Sequence, residues 1–140
     1  MLLLAILLCA CLAILLYLSV TAIAVGLITI FLIILYPLMK RITYFPQAFL
    51  GITFNMGCLI GYATVKDAIS LDSMILYIAC VFWTMGYDTI YAFMDIKDDK
   101  KVGIKSTAIL FEKRYFRLVI AVFYALFLTC LLYTSPSPRD

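Results

Sequence analysis

The chain has no histidine and very little charge. Its 140 residues include 11 Lys or Arg and 8 Asp or Glu, 14% of the total. Without imidazole, any metal site must be built from oxygen or sulfur ligands. Sulfur is a weak candidate. Cys9, Cys11, Cys58, Cys80 and Cys130 all lie inside apolar runs and form no CxxC pair. They read as small hydrophobes rather than redox or metal groups, and they do not make a secreted disulfide scaffold. The net charge of +3 is too small to argue for a polyanionic partner, and no nucleic-acid partner is expected. Apolar residues are what the chain has in excess, at 66%. A soluble domain is about half apolar and about a quarter charged, and a chain this short has too much surface to bury such a fraction in water. The surrounding solvent must therefore be a bilayer.

No charge appears before Lys40, so the N-terminal run lacks the basic start of a signal peptide despite a small-residue Ala22-Ile23-Ala24 segment. A span needs about 20 residues. The first 39 residues thus predict two spans, at 1–18 and 21–37, with Ser19, Thr21 and Gly26 as the candidates for the turn. Further apolar runs at 47–64, 73–91 and 118–133 make five spans. The expected class is all-α: a polytopic integral membrane helical bundle. Lys40 and Arg41 lie in one loop, and Lys97, Lys100, Lys101, Lys105, Lys113, Arg114 and Arg117 in or beside another on the same side, against Lys66 and Arg139 opposite. By the positive-inside rule this split places the two basic loops, and residue 1, in the cytoplasm or its organellar equivalent.

The loop at 92–113 is too long and too polar for a plain connector. Asp95 and Asp99 are four residues apart, and Asp88 is seven before Asp95. On a continuing helix the three carboxylates form one stripe running out of the membrane. Like charges at this spacing repel, and a carboxylate in a span is unfavourable, so a compensating group is expected. A hard cation with oxygen ligands fits, with Mg²⁺ leading, since Mg²⁺ takes one or two carboxylates and completes its shell with water and substrate phosphates. Nearby basic residues suit a phosphate-bearing substrate. The plainer reading of Asp98, Asp99, Lys100 and Lys101 is a solvated helix at the membrane edge. Tyr87 and Tyr91 also suit an interfacial aromatic belt.

The other basic loop opens with Tyr36-Pro37-Leu38-Met39-Lys40-Arg41, in which Pro37 is expected to kink or end its helix. Tyr36 and Lys40, four apart, either face one pocket or act as an aromatic anchor followed by positive-inside charges. Asn55, inside a span, reads as a helix–helix hydrogen bond rather than a ligand.

These segments carry a family resemblance. Tyr87-Asp88-Thr89-Ile90-Tyr91-Ala92 through Asp95-Ile96-Lys97-Asp98-Asp99, then Gly103-Ile104-Lys105-Ser106-Thr107-Ala108, resembles the second aspartate motif of UbiA-type membrane prenyltransferases. Tyr36 to Arg41, with Pro46-Gln47 and Leu50-Gly51, is similar to the Tyr-x-x-x-Lys segment of the branch that acts on 4-hydroxybenzoate in ubiquinone synthesis. The resemblance implies a bundle of about nine spans, of which about five are present here. It implies Mg²⁺-assisted transfer of a polyprenyl group from an allylic polyprenyl diphosphate to 4-hydroxybenzoate, in the bacterial inner or mitochondrial inner membrane. By position, Asp95 and Asp99 match the metal-binding aspartates. Asp88, Tyr36 and Lys40 match pocket residues with catalytic or orienting roles, and Lys40, Arg41 and Lys105 match groups that neutralise the diphosphate.

The sequence also departs from that pattern. The family's first aspartate motif would precede residue 1, so residues 1–133 read as a partial transmembrane domain, inactive by itself. Residues 134–140, with Pro136 and Pro138, read as a non-native or disordered tail. Met56 stands where similar sequences often carry Trp. Other acceptors (a naphthoate, homogentisate or a porphyrin) are alternatives within the family. Outside it stand a cation-coupled transporter using Asp88 and a non-catalytic scaffold.

Overall fold

A computed structural model describes residues 2–103 and 105–134, apart from the side chains of Lys40, Asp98, Val102, Glu112, Lys113 and Arg114. The expected tail beyond Thr134 lies outside the described residues. Within them the chain is helical: α1 (Leu2–Leu16), α2 (Val20–Ile42), α3 (Pro46–Phe54), α4 (Met56–Lys66), α5 (Leu71–Met94), α6 (Ile96–Val102) and α7 (Thr107–Thr134).

Four stretches have the length and apolarity of a membrane span: Val20–Met39, Pro46–Lys66, Leu71–Met94 and Tyr115–Thr134. The expected first span is shorter. Ser19 caps α2, its hydroxyl accepting from the Ala22 N–H at 3.2 Å. The turn before it closes α1 at 15 residues, about 22 Å of helix against a hydrocarbon core of about 30 Å. Pro37 does not end its helix, because α2 continues to Ile42. Proline has no N–H, so the Ile33 carbonyl loses only its usual intrahelical donor.

Each span packs on its sequence neighbours, with α5 against α7 the most extensive contact and α3 and α4 set between α2 and α5. Rings line the α5–α7 seam: Trp83 lies 5.4 Å from Tyr124 and 5.1 Å from Phe127, and Phe93 stacks on Phe116 at 4.0 Å. A small apolar core of Val25, Met56, Leu59 and Tyr77 joins α2, α4 and α5. Met56 is therefore a core residue, packed away from the cavities described below.

The Pro46–Lys66 span is broken at Asn55, between α3 and α4. In hydrocarbon, freed backbone groups need partners within the protein. The Tyr77 hydroxyl donates to the Ile52 carbonyl at 2.8 Å. The Asn55 side-chain amide reaches Gly51 O at 2.8 Å, Cys80 O at 3.1 Å and Thr84 Oγ1 at 2.8 Å. Asn55 is thus a strut from the break to α5, as its place in a span suggested. Gly51 allows the close approach, since a Cβ there would meet the Val81 carbonyl oxygen at 3.0 Å.

Polar ties also fix the two ends of the bundle. At one end, Thr21 N–H donates to Asp67 Oδ1 at 3.0 Å and Ser19 Oγ donates to Ala63 O at 2.7 Å, joining the start of α2 to the end of α4. Asp67 adopts the left-handed conformation (φ 48°) that closes α4. At the other end lie the two basic segments, helical where loops were expected: Lys40 and Arg41 fall within α2, and Lys97, Lys100 and Lys101 within α6.

Two outcomes follow. Asn55→Leu should destabilise the bundle by about 1 kcal/mol, with part of the loss restored by a second change, Thr84→Val; reversible unfolding in mixed micelles measures both. The Thr21 N–H holds the Asp67 carboxyl below its ordinary pKa, with side-chain hydrogen bonds from Thr21 and Ser19 adding to the effect. A depressed pKa gives a tie that is whole above the unfolded value and is lost as pH falls through the folded one. Amide exchange at Thr21, corrected for intrinsic rates, should therefore accelerate in acid and be insensitive to pH in Asp67→Asn.

Candidate active site: a carboxylate pocket at one end of the bundle

The C-terminal turns of α5 present Asp88, Tyr91, Ala92 and Asp95 at i, i+3, i+4 and i+7, one face of a helix. These four line a pocket of about 100 Å³. The helix is interrupted at Asp95, which ends α5 and begins α6. The register nevertheless survives, because Asp99 N–H donates to Asp95 O at 2.9 Å. Asp99 consequently joins the same pocket. Asp88 and Asp99 are half-buried and Asp95 is exposed at the rim.

The opposite wall comes from the starts of α3 and α7: Pro46, Gln47, Lys105 and Ser106. Pro46 suits a first helical turn, where its missing N–H has no partner to lose. Gly103 closes α6 in the left-handed conformation (φ 72°) and turns the chain toward α7. Ser106 then starts α7, its hydroxyl accepting from Ile109 N–H at 3.3 Å and its carbonyl from Leu110 N–H at 3.1 Å. The positive end of a 28-residue helix therefore opens beside the carboxylates.

Lys105 is held at this junction. Its Nζ donates to the Ile42 carbonyl at the end of α2 (3.2 Å) and lies 5.2 Å from the Tyr44 ring centroid. Behind it runs a buried polar chain. Gln47 Oε1 accepts from Thr107 N–H at 3.2 Å, and the Thr107 and Thr89 hydroxyls share a hydrogen bond at 2.8 Å. This chain ties α3, α5 and α7 together directly under the pocket.

The structure thus brings Asp88, Asp95, Asp99 and Lys105 to one pocket. Tyr36 lines a different cavity, an apolar groove of about 400 Å³ between α2 and the broken span. Arg41 is exposed near the end of α2 and is not among the pocket's lining residues. The Lys40 side chain lies outside the described residues. Sequence reasoning assigned no role to Gln47, Thr89, Ser106 or Thr107. All four lie within the segments that carry the family resemblance, but their polarity alone does not distinguish a support from a solvated residue.

The donor set also bears on a metal. The pocket's acidic ligands are carboxylate oxygens, the ligands of a hard divalent cation. Among the described residues no three acidic or sulfur side chains converge closely enough to hold an ion by themselves. Among the described residues there is thus no all-protein cage of the calcium or zinc kind. The donor set fits a cation that keeps water and takes substrate oxygens, bound through one or two of these carboxylates.

The pocket thus joins Asp-x-x-x-Asp to a basic wall at the start of α7. The profile of the UbiA prenyltransferase family matches residues 1–138. The chain belongs to the UbiA prenyltransferase family. Among curated relatives of this family, rat mitochondrial 4-hydroxybenzoate polyprenyltransferase is 49% identical over 105 residues, covering 73% of this chain and 28% of the relative. The 4-hydroxybenzoate octaprenyltransferase of Francisella tularensis is 41% identical over 105 residues, 75% of this chain and 37% of the relative. The mitochondrial 4-hydroxybenzoate polyprenyltransferase of Arabidopsis thaliana is 50% identical over 101 residues, 71% and 25%. The chain spans about a quarter to about a third of the length of these relatives. No solved structure matches it.

Gly103 supplies a test of the pocket's architecture. Nothing lies within 4 Å of a Cβ built there, so the barrier to a side chain is the backbone conformation alone. Gly103→Ala should weaken the 103–106 turn by about 1 kcal/mol, and Gly103→Asn by less. Limited proteolysis of the loop in micelles should show cleavage rates rising in the order Gly, Asn, Ala.

Proposed function

We propose that this chain forms the central part of a membrane enzyme that transfers a polyprenyl group from an allylic polyprenyl diphosphate to 4-hydroxybenzoate in ubiquinone biosynthesis. The observation that carries the reading is the convergence of Asp88, Asp95, Asp99 and Lys105 on one polar pocket at the end of an apolar bundle. Such a pocket can hold a diphosphate at the membrane edge while its prenyl chain remains in hydrocarbon. The names of the three relatives support the choice of acceptor.

In the reaction, the allylic C–O bond breaks and diphosphate departs with the bonding electrons. An electron-rich ring carbon of the acceptor attacks the allylic carbon, and the ring then loses a proton. The phenolic hydroxyl activates the positions ortho and para to it, and the carboxylate occupies the para position, so the new C–C bond forms ortho to the hydroxyl. Asp95 and Asp99 are the residues to hold Mg²⁺ with the diphosphate. When bound, Mg²⁺ supplies Lewis-acid stabilisation of the charge that collects on the leaving group. Lys105 and the α7 N-terminus place further positive charge there. Asp88, deeper in the span, is suited to orient the acceptor hydroxyl. We place the pocket on the cytoplasmic side of a bacterial inner membrane, or the matrix side of a mitochondrial one, from the clustering of basic residues at this end.

The test is prenylation of 4-hydroxybenzoate by the full-length protein in proteoliposomes, with Mg²⁺ and then after chelation. Asp95→Asn combined with Asp99→Asn should lower the rate by about 100-fold or more, and Lys105→Ala should raise the donor KM roughly tenfold. Activity surviving the double change overturns the diphosphate role. Faster prenylation of a naphthoate, homogentisate or a porphyrin overturns the acceptor.

A further inference from the structure

Gln47 stands on the wall of the carboxylate pocket although it is 3% exposed. Its side chain is held at one end. Oε1 accepts from the Thr107 N–H at 3.2 Å. A backbone N–H can only donate, so this contact settles which end of the amide faces α7. The amide nitrogen, with two donors, points elsewhere. Oε1 makes the side chain's one hydrogen bond among the described residues. Among those residues, Thr53 Oγ1 is the only buried side-chain nitrogen or oxygen without a partner. Gln47 Nε2 therefore keeps contact with open space, and the space that Gln47 borders is the pocket.

The surroundings of this nitrogen define what it can bind. On its own wall stand Lys105, Ser106 and the start of α7, which together favour negative charge. Gln47 differs from Lys105 in kind. An ammonium on a flexible stem is a point charge that neutralises an anion from many directions. A neutral amide neutralises nothing, but here its direction is set in advance. Pro46 starts α3 beneath it, and Thr107 holds its oxygen. A donor fixed in this way loses little freedom on binding and discriminates by position. It suits an anionic oxygen placed between the basic wall and the carboxylates.

We propose that Gln47 is a binding residue for the donor substrate: its Nε2 donates to a non-bridging oxygen of the diphosphate, while its Oε1 aims that donor through Thr107. The inference rests on the prenyl-transfer reading for the presence of a diphosphate. It adds a neutral, directional contact to the charged groups that the reading already names.

The full-length protein in micelles is titrated with geranyl S-thiolodiphosphate, an unreactive donor analogue, in the presence of Mg²⁺. Gln47→Glu keeps an oxygen for the Thr107 N–H and loses the donor. At about pH 8, where a carboxyl is ionised, it should bind the analogue about tenfold to a hundredfold more weakly than the wild type, the value of one hydrogen bond to a charged oxygen. Relative to the wild type, that loss should shrink as pH falls, because the introduced carboxyl regains a proton and with it a donor. Gln47→Met is neutral throughout and should show a loss of about tenfold with no such recovery. Hydrogen exchange at the Thr107 amide should stay slow in Gln47→Glu, and the KM for 4-hydroxybenzoate should hold its wild-type value. Undiminished binding of the analogue by both variants, a loss in Gln47→Glu that ignores pH, a loss accompanied by fast exchange at Thr107, or a loss confined to the acceptor's KM would each overturn the proposal. Prenyl transfer with an unchanged donor KM in Gln47→Glu removes the role of Gln47 and leaves the enzymatic reading standing. A wild type that binds the analogue with the expected dependence on Gln47 but transfers no prenyl group refutes the enzymatic reading and leaves the contact standing.

Discussion

Hydrogen bonds between spans set the register of this bundle. Lipid tails are as apolar as leucine, so burying apolar side chains between helices brings little gain in a bilayer. Polar groups, by contrast, have no water to turn to and must find one another. The pattern of burial reflects this. The largest fully buried side chains are Thr84, Thr89, Thr107 and Ser106, while leucines and isoleucines such as Leu2, Ile14 and Leu118 are exposed to the surroundings. Asn55 with Thr84, Tyr77 with Ile52, and Gln47 with Thr107 and Thr89 each join two or three helices. A soluble domain would place these polar groups outside and the leucines inside.

The same bonds position the chemistry. The chain from Gln47 through Thr107 to Thr89 fixes where α7 begins relative to α5, and so where Lys105 stands against the Asp88, Asp95 and Asp99 face. Lys105 reaches back to the last turn of α2 and draws the two basic loops together. Acidic and basic groups thereby meet at one end of the bundle, in a pocket backed by uncharged hydroxyls and an amide. The break at Asn55 divides the Pro46–Lys66 span, whose first half contributes Gln47 to the pocket and Thr53 to the groove.

Much of this was legible in the residue order. The carboxylate stripe follows from spacings of seven and four on a helix, and it survived the interruption at Asp95 because one backbone hydrogen bond carries the register across. The role of Asn55 followed from its chemistry, since an amide surrounded by hydrocarbon must find its partners on a neighbouring helix. The length of α1 and the passage of α2 through Pro37 were harder to see. Capping by Ser19 and the tolerance of one lost intrahelical hydrogen bond are local energetic balances that hydropathy does not report. Tyr36 and Lys40 share a helix, which made a common pocket plausible, yet Tyr36 lines the groove because α3 and α4 pack against that part of α2.

The sequence by itself determined the solvent, the helical class and the ends at which charge collects, because composition and short-range spacing act through the backbone's own periodicity; the family was legible as the resemblance of two motifs. The tertiary structure alone decided which hydroxyls satisfy each other and which does not. Thr29 and Thr53 are the same residue type in similar apolar surroundings. One bonds to its own helix and the other is buried with no hydrogen-bond partner among the described residues. That difference arises from how three helices approach each other in space, where the distances between polar groups decide the outcome and the order of residues along the chain does not record them.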